Sequence, residues 1–151
     1  DMLAGMDDSI PRPAPFAVRI VGERRGPLML ASGMPIEVRT GIDEVTATDV
    51  VIVPSVVVGE GGWRLGRYPA LIAWLTRMHA RGAVLCSACS GVFVLAETGL
   101  FDGVRTTVHW GYANAFRTAF PRVPVMPEHV LLVGGERGNL VSSGASHTWA
   151  D

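Results

Sequence analysis

The stretch Ala83-Val84-Leu85-Cys86-Ser87-Ala88-Cys89-Ser90-Gly91-Val92-Phe93 holds the residues best suited to chemistry. An apolar run gives way to a helical one at Cys89, with Ala88 and Ser90 beside it and Ser87 and Gly91 two positions away. Small residues there make a cysteine version of the small-x-nucleophile-x-small elbow, which lifts a side chain out of a sharp strand-to-helix turn. The sulfur is then expected at the carboxyl end of a central strand, beside unpaired N–H groups and a positive dipole end that favour thiolate over thiol. The plain alternative is a small cysteine packed into a tight turn. Cys86 and Cys89 also read as Cys-x-x-Cys, but three residues of extended chain separate α-carbons by roughly 10 Å. A disulfide spans at most ~7 Å, so Cys86 is expected in the core. A zinc site lacks the second Cys or His pair that four ligands require, and no metal is expected.

His109 ends the run Arg105-Thr106-Thr107-Val108 and is the partner candidate for Cys89. If that run is the next strand, its carboxyl edge puts an imidazole beside the thiol, to orient or deprotonate it. The alternative is a histidine hydrogen-bonded to backbone in a half-buried loop. His79 reads as a helix C-terminal cation and His129 as a loop residue before a strand. His147, in Gly144-Ala145-Ser146-His147, is expected to face the same crevice. The acidic member of a triad is the gap, because the carboxylates fall on turns and helix surfaces, Glu97 among them. Glu60, in Val58-Gly59-Glu60-Gly61-Gly62, alone sits on a strand's carboxyl side in a flexible glycine loop and is expected to line the pocket. That glycine loop has a plain reading too, as a mobile connection without ligand.

The elements that must position these residues are short β-branched runs alternating with helical periods. Strands are expected at Phe16 to Val21, Leu28 to Leu30, Ile36 to Arg39, Val50 to Val53, Ala83 to Cys86, Thr106 to Val108, Val130 to Val133 and Leu140 to Ser143. Val50 to Val53 and Ala83 to Cys86 are apolar on both faces, as strands in the middle of a helix-covered parallel sheet must be. Pro69 opens a helix with Leu71, Trp74, Leu75 and Met78 on one stripe, closed by Arg81-Gly82. Further helices are expected at Gly91 through Glu97 and at Trp110 to Phe120, the latter stopped by Pro121. Strands alternating with helices predict an α/β three-layer sandwich with right-handed crossovers.

Composition closes off other classes. The 151 residues suit one domain, and 48% hydrophobic against 18% charged residues excludes intrinsic disorder. The formal net charge is -1 and no cationic cluster exceeds Arg24-Arg25, so this chain is not expected to grip nucleic acid. All thirteen basic residues are arginine, which removes Schiff-base and P-loop lysines. No apolar run approaches the ~20 residues that cross a bilayer. Two cysteines without a leader sequence predict a cytoplasmic setting. Both termini read as cut mid-element, so a fragment of a longer chain is expected.

Four segments taken in order resemble the ThiJ/PfpI-like, class I glutamine-amidotransferase-like superfamily. They are Ser87 to Gly91, Leu95 to Gly103, Thr106-Thr107-Val108-His109-Trp110 and Phe120 to Val123. Within it the sequence is most similar to the N-terminal domains of AraC-type transcriptional regulators. The resemblance implies a flavodoxin-like sandwich, commonly dimeric, with Cys89 and His109 lining a small pocket. It implies that residues 1–151 form a single domain that binds a small-molecule effector and dimerises. DNA is then contacted only by a C-terminal helix-turn-helix pair outside this chain. In the wider superfamily such a cysteine serves peptidases, glyoxalases and hydratases, including isonitrile hydratases. Those enzymes carry an Asp or Glu shortly after a first strand that this chain lacks, and Asp1 does not take that place. Two readings follow. In one, Cys89, the backbone N–H groups of Ser90 and Gly91, and His109 hold an effector. In the other, Cys89 attacks an electrophilic carbon and His109 moves the proton. No cofactor is expected in either.

Overall fold

A computed structural model of the protein describes residues 15–144. The chain begins with short strands β1 (Val21–Gly22), β2 (Gly26–Met29), β3 (Pro35–Val38) and β4 (Thr40–Gly41). β2 pairs antiparallel with β3, and β1 pairs parallel with β4. Glu44 ties this region together: it pairs with the Arg25 guanidinium and accepts the Gly41 N–H at 2.8 Å. Those two partners, Arg25 first, hold its carboxyl down at about 2. A strand is expected over Phe16 to Val21, yet only Val21 of that run is in one, and Phe16, Val18 and Ile20 precede it. Those three side chains are exposed, and no described strand hydrogen-bonds to them.

The main sheet joins β5 (Val50–Val53), β6 (Val84–Ala88), β7 (Leu131–Gly134) and β8 (Leu140–Ser143) in the order β5-β6-β8-β7. β5, β6 and β8 are parallel, and β7 returns antiparallel beside β8. Helix α1 (Pro69–Ala80) connects β5 to β6. Helices α2 (Val92–Ala96) and α3 (Ala113–Ala119) lie between β6 and β8. Because both crossovers step the same way along the sheet, right-handedness puts all three helices on one face. This is a flavodoxin-like α/β arrangement with a mostly parallel sheet.

α1 forms as its periodicity predicts. Pro69 takes the first turn, Trp74, Leu75 and Met78 are buried, and Gly82 ends it at φ +98°. The indole of Trp74 donates to the Val45 carbonyl at 3.0 Å. Val53, Leu85 and Leu140 on the covered sheet face pack with Leu75, Val92, Phe93, Leu95 and Phe116 from the helices.

Three expectations are corrected. Among the described residues β5 is an edge strand, with Val50 48% and Ile52 67% exposed. Its second apolar face therefore lies uncovered, in a row Ile52–Cys86–Val141–Val133 that crosses all four strands. Cys86 is accordingly a half-buried residue of that open face, outside the helix-covered core. Thr106 to Val108 is not a strand of the sheet: Thr106 makes one bridge, to Val125. The facing segment carries Pro121, Pro124 and Pro127, which have no N–H to extend a ladder.

Candidate functional site

The elbow forms as its small residues require. Ala88 is extended at φ -111°, ψ 129°, and Gly91 is already helical at φ -58°, ψ -24°. Cys89 makes the reversal at φ 54°, the one non-glycine with positive φ among the described residues. Such a conformation costs of the order of 1–3 kcal/mol, and it persists where surroundings over-determine it, often at functional sites. Cys89 is a free, half-buried thiol. The helix after it is shorter than expected, one 3-10 turn over Cys89–Gly91 followed by five α-helical residues, so the dipole it offers is small.

The neighbours of the elbow are fixed by specific contacts. Ser90 is buried and bolts the elbow to the loop after β5: its hydroxyl donates to the Val56 carbonyl at 2.7 Å and accepts the Val56 N–H at 3.0 Å. A β-carbon on Gly91 would stand 2.3 Å from the Val53 carbonyl oxygen and 2.5 Å from that of Pro54. Only glycine lets the elbow approach the end of β5 so closely. On the other side β8 lies next to β6, with Ser143 opposite Ala88 and Ser142 opposite Ser87. Ser87 is buried on the covered face, and its Oγ has no hydrogen-bond partner among the described residues.

His109 reaches the same carboxyl edge by a different route from that expected. The Thr107 N–H donates to Ser142 Oγ at 2.9 Å, and the Thr107 hydroxyl donates to the His129 carbonyl at 2.6 Å. These bonds hold the segment against the carboxyl end of β8 through the Ser142 side chain and the His129 backbone ahead of β7. His109 then caps the 3-10 turn Trp110–Tyr112, its Nδ1 accepting the Gly111 N–H at 3.2 Å. With that lone pair engaged, the neutral ring carries its proton on Nε2 and presents a donor. The ring stacks on Trp110 at 5.2 Å and lies 6.0 Å from Tyr112.

The remaining candidates separate. Glu60 sits at the exposed tip of the Gly59–Gly62 turn, and among the described residues it makes no ion pair or hydrogen bond. His147 lies outside the described residues. His79, at the helix C-terminus as expected, has its Nε2 3.0 Å from Asn139 Nδ2 and so ties α1 to the turn between β7 and β8. His129 precedes β7 as expected, with Nδ1 shielded and 3.5 Å from Glu128 Oε1. No carboxylate among the described residues is hydrogen-bonded to Cys89 or His109. Cys89 and His109 line neither the depression between Glu97 and Phe120 nor the one between Val57 and Arg67.

Sequence reasoning missed Glu97. Read as a helix-surface acid, it accepts the Trp63 indole N–H at 2.6 Å and the Gly66 N–H at 2.9 Å. It thereby fastens the far end of the glycine loop to the end of α2, as Ser90 fastens its near end to the elbow. The signal for this was Trp63, an amphipathic residue in a glycine-rich loop that needs a partner for its N–H.

The DJ-1/PfpI family profile matches residues 8–143. The chain belongs to the DJ-1/PfpI family. It is 33% identical over 103 residues to the HTH-type transcriptional regulator CdhR of Pseudomonas aeruginosa, which covers 68% of this chain and 30% of the regulator. It is also 26% identical over 144 residues to the isonitrile hydratase of Pseudomonas putida, covering 95% of this chain and 56% of that enzyme. Among solved structures, a putative transcriptional regulator from Vibrio parahaemolyticus superimposes with a TM-score of 0.68 at 25% identity, over 83% of this chain and 66% of that one. This DJ-1/PfpI domain thus spans under a third of the length of the regulators it resembles. No helix among the described residues is long and apolar enough to cross a membrane.

The two thiols of the domain are expected to differ in reactivity. Burial pushes the Cys86 thiol above its ordinary value, and the thiolate is the reacting species. Iodoacetamide trapping between pH 7 and 9, read per cysteine by mass spectrometry, should therefore find Cys89 labelled first and Cys86 lagging. Equal, slow labelling of both would remove the motive for treating Cys89 as a site residue.

Proposed function

We propose that this domain is the effector-binding and dimerisation domain of a cytoplasmic AraC-type transcriptional regulator. The effector is held at the elbow by Cys89, the backbone of Ser90 and Gly91, and the Nε2–H of His109. His147 and Glu60 are the outer candidates for the same pocket. DNA contact belongs to another part of the protein, and the regulator acts as a homodimer. The observation that carries this reading is the similarity to HTH-type regulators, 33% over 103 residues for one of them. The site supports it: a strained, half-buried thiol and a donor-tautomer imidazole offer polar recognition, and among the described residues no carboxylate is hydrogen-bonded to either.

A second reading is favoured by the strain at Cys89 and by the similarity to isonitrile hydratase across 95% of the chain. In it, the Cys89 sulfur adds to an electrophilic carbon while the thiol proton passes to the atom that takes up the displaced electron pair, and the Nε2–H of His109 hydrogen-bonds that atom as its charge develops.

A thermal-shift screen of small nitrogenous and carbonyl metabolites separates the two. A ligand that binds only the folded state adds about 2.7 kcal/mol at 100 times its Kd. Cys89→Ala and His109→Ala should blunt the shift while the unliganded melt stays put. Each hit is then assayed for turnover, and a hit consumed at a rate that Cys89→Ala abolishes would decide for the enzyme. With a net charge of -1, the 151-residue chain should not bind a random DNA duplex at physiological salt. Tight binding by it alone would overturn both readings.

A further inference from the structure

The loop between β5 and α1 carries a second group of residues that the elbow does not use. Val57, Gly59, Gly61, Gly62, Arg64 and Arg67 line a depression of about 410 Å³. The Arg67 guanidinium is held in one place: Nη1 donates to the Val57 carbonyl at 2.9 Å, and the group lies 5.3 Å from the Trp63 ring centroid and 5.1 Å from that of Tyr68. Neither Arg64 nor Arg67 makes an ion pair with a carboxylate among the described residues, whereas Arg25 and Arg122 each do. The loop beneath is fixed as well, closed by the Gly62 N–H on the Gly59 carbonyl at 2.9 Å and pinned by Glu97. A β-carbon built on Gly59, Gly61 or Gly62 meets nothing within 4 Å, so a ligand can approach that backbone. α1 begins just beyond, with no side-chain cap and no acid in its first turn to answer its positive end.

We propose that this depression binds the carboxylate of a small metabolite, with the fork of Arg67 as the main contact and Arg64 as the second. The inference rests on the effector-binding reading and gives its ligand a chemical class. A planar guanidinium presents two parallel N–H donors that match a carboxylate edge. Its orientation is set before binding by two rings and a carbonyl, so little ordering cost remains. Val57 in the lining and the nearby indole offer apolar surface to the remainder of a small organic acid. Ser90, bonded twice to Val56 at the root of this loop, links carboxylate binding mechanically to the elbow.

The test measures binding to the whole protein by titration calorimetry and thermal shift at constant ionic strength. The probes are propionate and succinate, their neutral amides propionamide and succinamide, and inorganic phosphate. A carboxylate should bind and raise the melting temperature where its amide does not. R64Q and R67Q should each weaken it by about tenfold or more, and R67K should weaken it too, because lysine keeps the charge and loses the fork. R64Q alters an exposed side chain and so carries the test if R67Q fails to fold. Carboxylates no better than amides, phosphate bound as tightly as either carboxylate, or binding unchanged in R64Q would each overturn the proposal. A neutral ligand whose binding depends on Cys89 and His109 but not on the arginines would sink the carboxylate and leave the elbow reading standing. Carboxylate binding lost in R64Q and R67Q yet unmoved in Cys89→Ala and His109→Ala would do the reverse.

Discussion

Gly91→Val is expected to destabilise the domain by at least the upper part of the roughly 1–3 kcal/mol range for overpacking, and to reduce the yield of folded protein. The reason is space. Gly91 has ordinary helical angles, φ -58° and ψ -24°, that any residue adopts. What no other residue can do is place a β-carbon 2.3 Å from the Val53 oxygen and 2.5 Å from the Pro54 oxygen. Both obstacles are backbone, so no rotamer change relieves them, and Gly91→Ala should fail for the same reason. The elbow must then move away from β5, which puts the two Ser90–Val56 hydrogen bonds at risk. Gly61→Ala is the matched control, because its β-carbon meets open space, and it should stay within about 0.5 kcal/mol of the parent. Urea unfolding midpoints of the three variants check this. A Gly91→Ala curve that overlays the parent would show that the elbow and β5 are less tightly apposed than these distances state.

The elbow was legible because its requirement is local. Small residues around Cys89, a buried strand before it and an apolar helix after it leave few other conformations, and Cys89 adopts the left-handed one. α1 was legible for a similar reason, since Pro69, the Leu71–Trp74–Leu75–Met78 stripe and Gly82 fix its start, face and end within one window. What failed depended on partners distant in sequence. Nothing in Thr106-Thr107-Val108 itself says that its neighbour will be a proline-rich segment, so a strand-like run became a single bridge. Val50 to Val53 is apolar on both faces, yet burial on the second face depends on what lies across it. Glu97 is indistinguishable from a solvated helix acid until Trp63 and Gly66, more than thirty residues earlier, come to meet it. His109 was found by its place after a β-branched run, while its tautomer rests on Gly111, whose role only the turn geometry discloses. Arg67 carried no sequence signal beyond being one of thirteen arginines; the rings and the carbonyl that orient it are a product of the folded loop.

Phe93→Ala is expected to cost about 3–5 kcal/mol, the range for deleting a fully buried aromatic ring, and to loosen two functional segments together. Phe93 is fully buried four residues after Cys89. Its ring meets Phe116 edge-on at 5.0 Å, Phe120 at 6.0 Å, Tyr112 at 6.4 Å and Trp63 at 5.3 Å. It therefore joins the helix after the elbow to α3, to the turn that carries His109, and to the loop that carries the arginines. Beyond Tyr112 the chain of rings continues to His109 at 6.0 Å, and beyond Trp63 to the Arg67 guanidinium at 5.3 Å. Removing the shared ring leaves Trp63 with its Glu97 hydrogen bond and its Tyr68 and Arg67 contacts but without its anchor in the core, and leaves Tyr112 with one flank open. Local opening of both segments should then become easier than global unfolding requires. Hydrogen exchange in mild denaturant should show lost protection over residues 59–67 and 109–113 at concentrations where the main sheet stays protected. A loss of stability with unchanged relative protection in those two segments would mean that Phe93 only fills the core, and that the elbow, the histidine turn and the arginine loop are held independently.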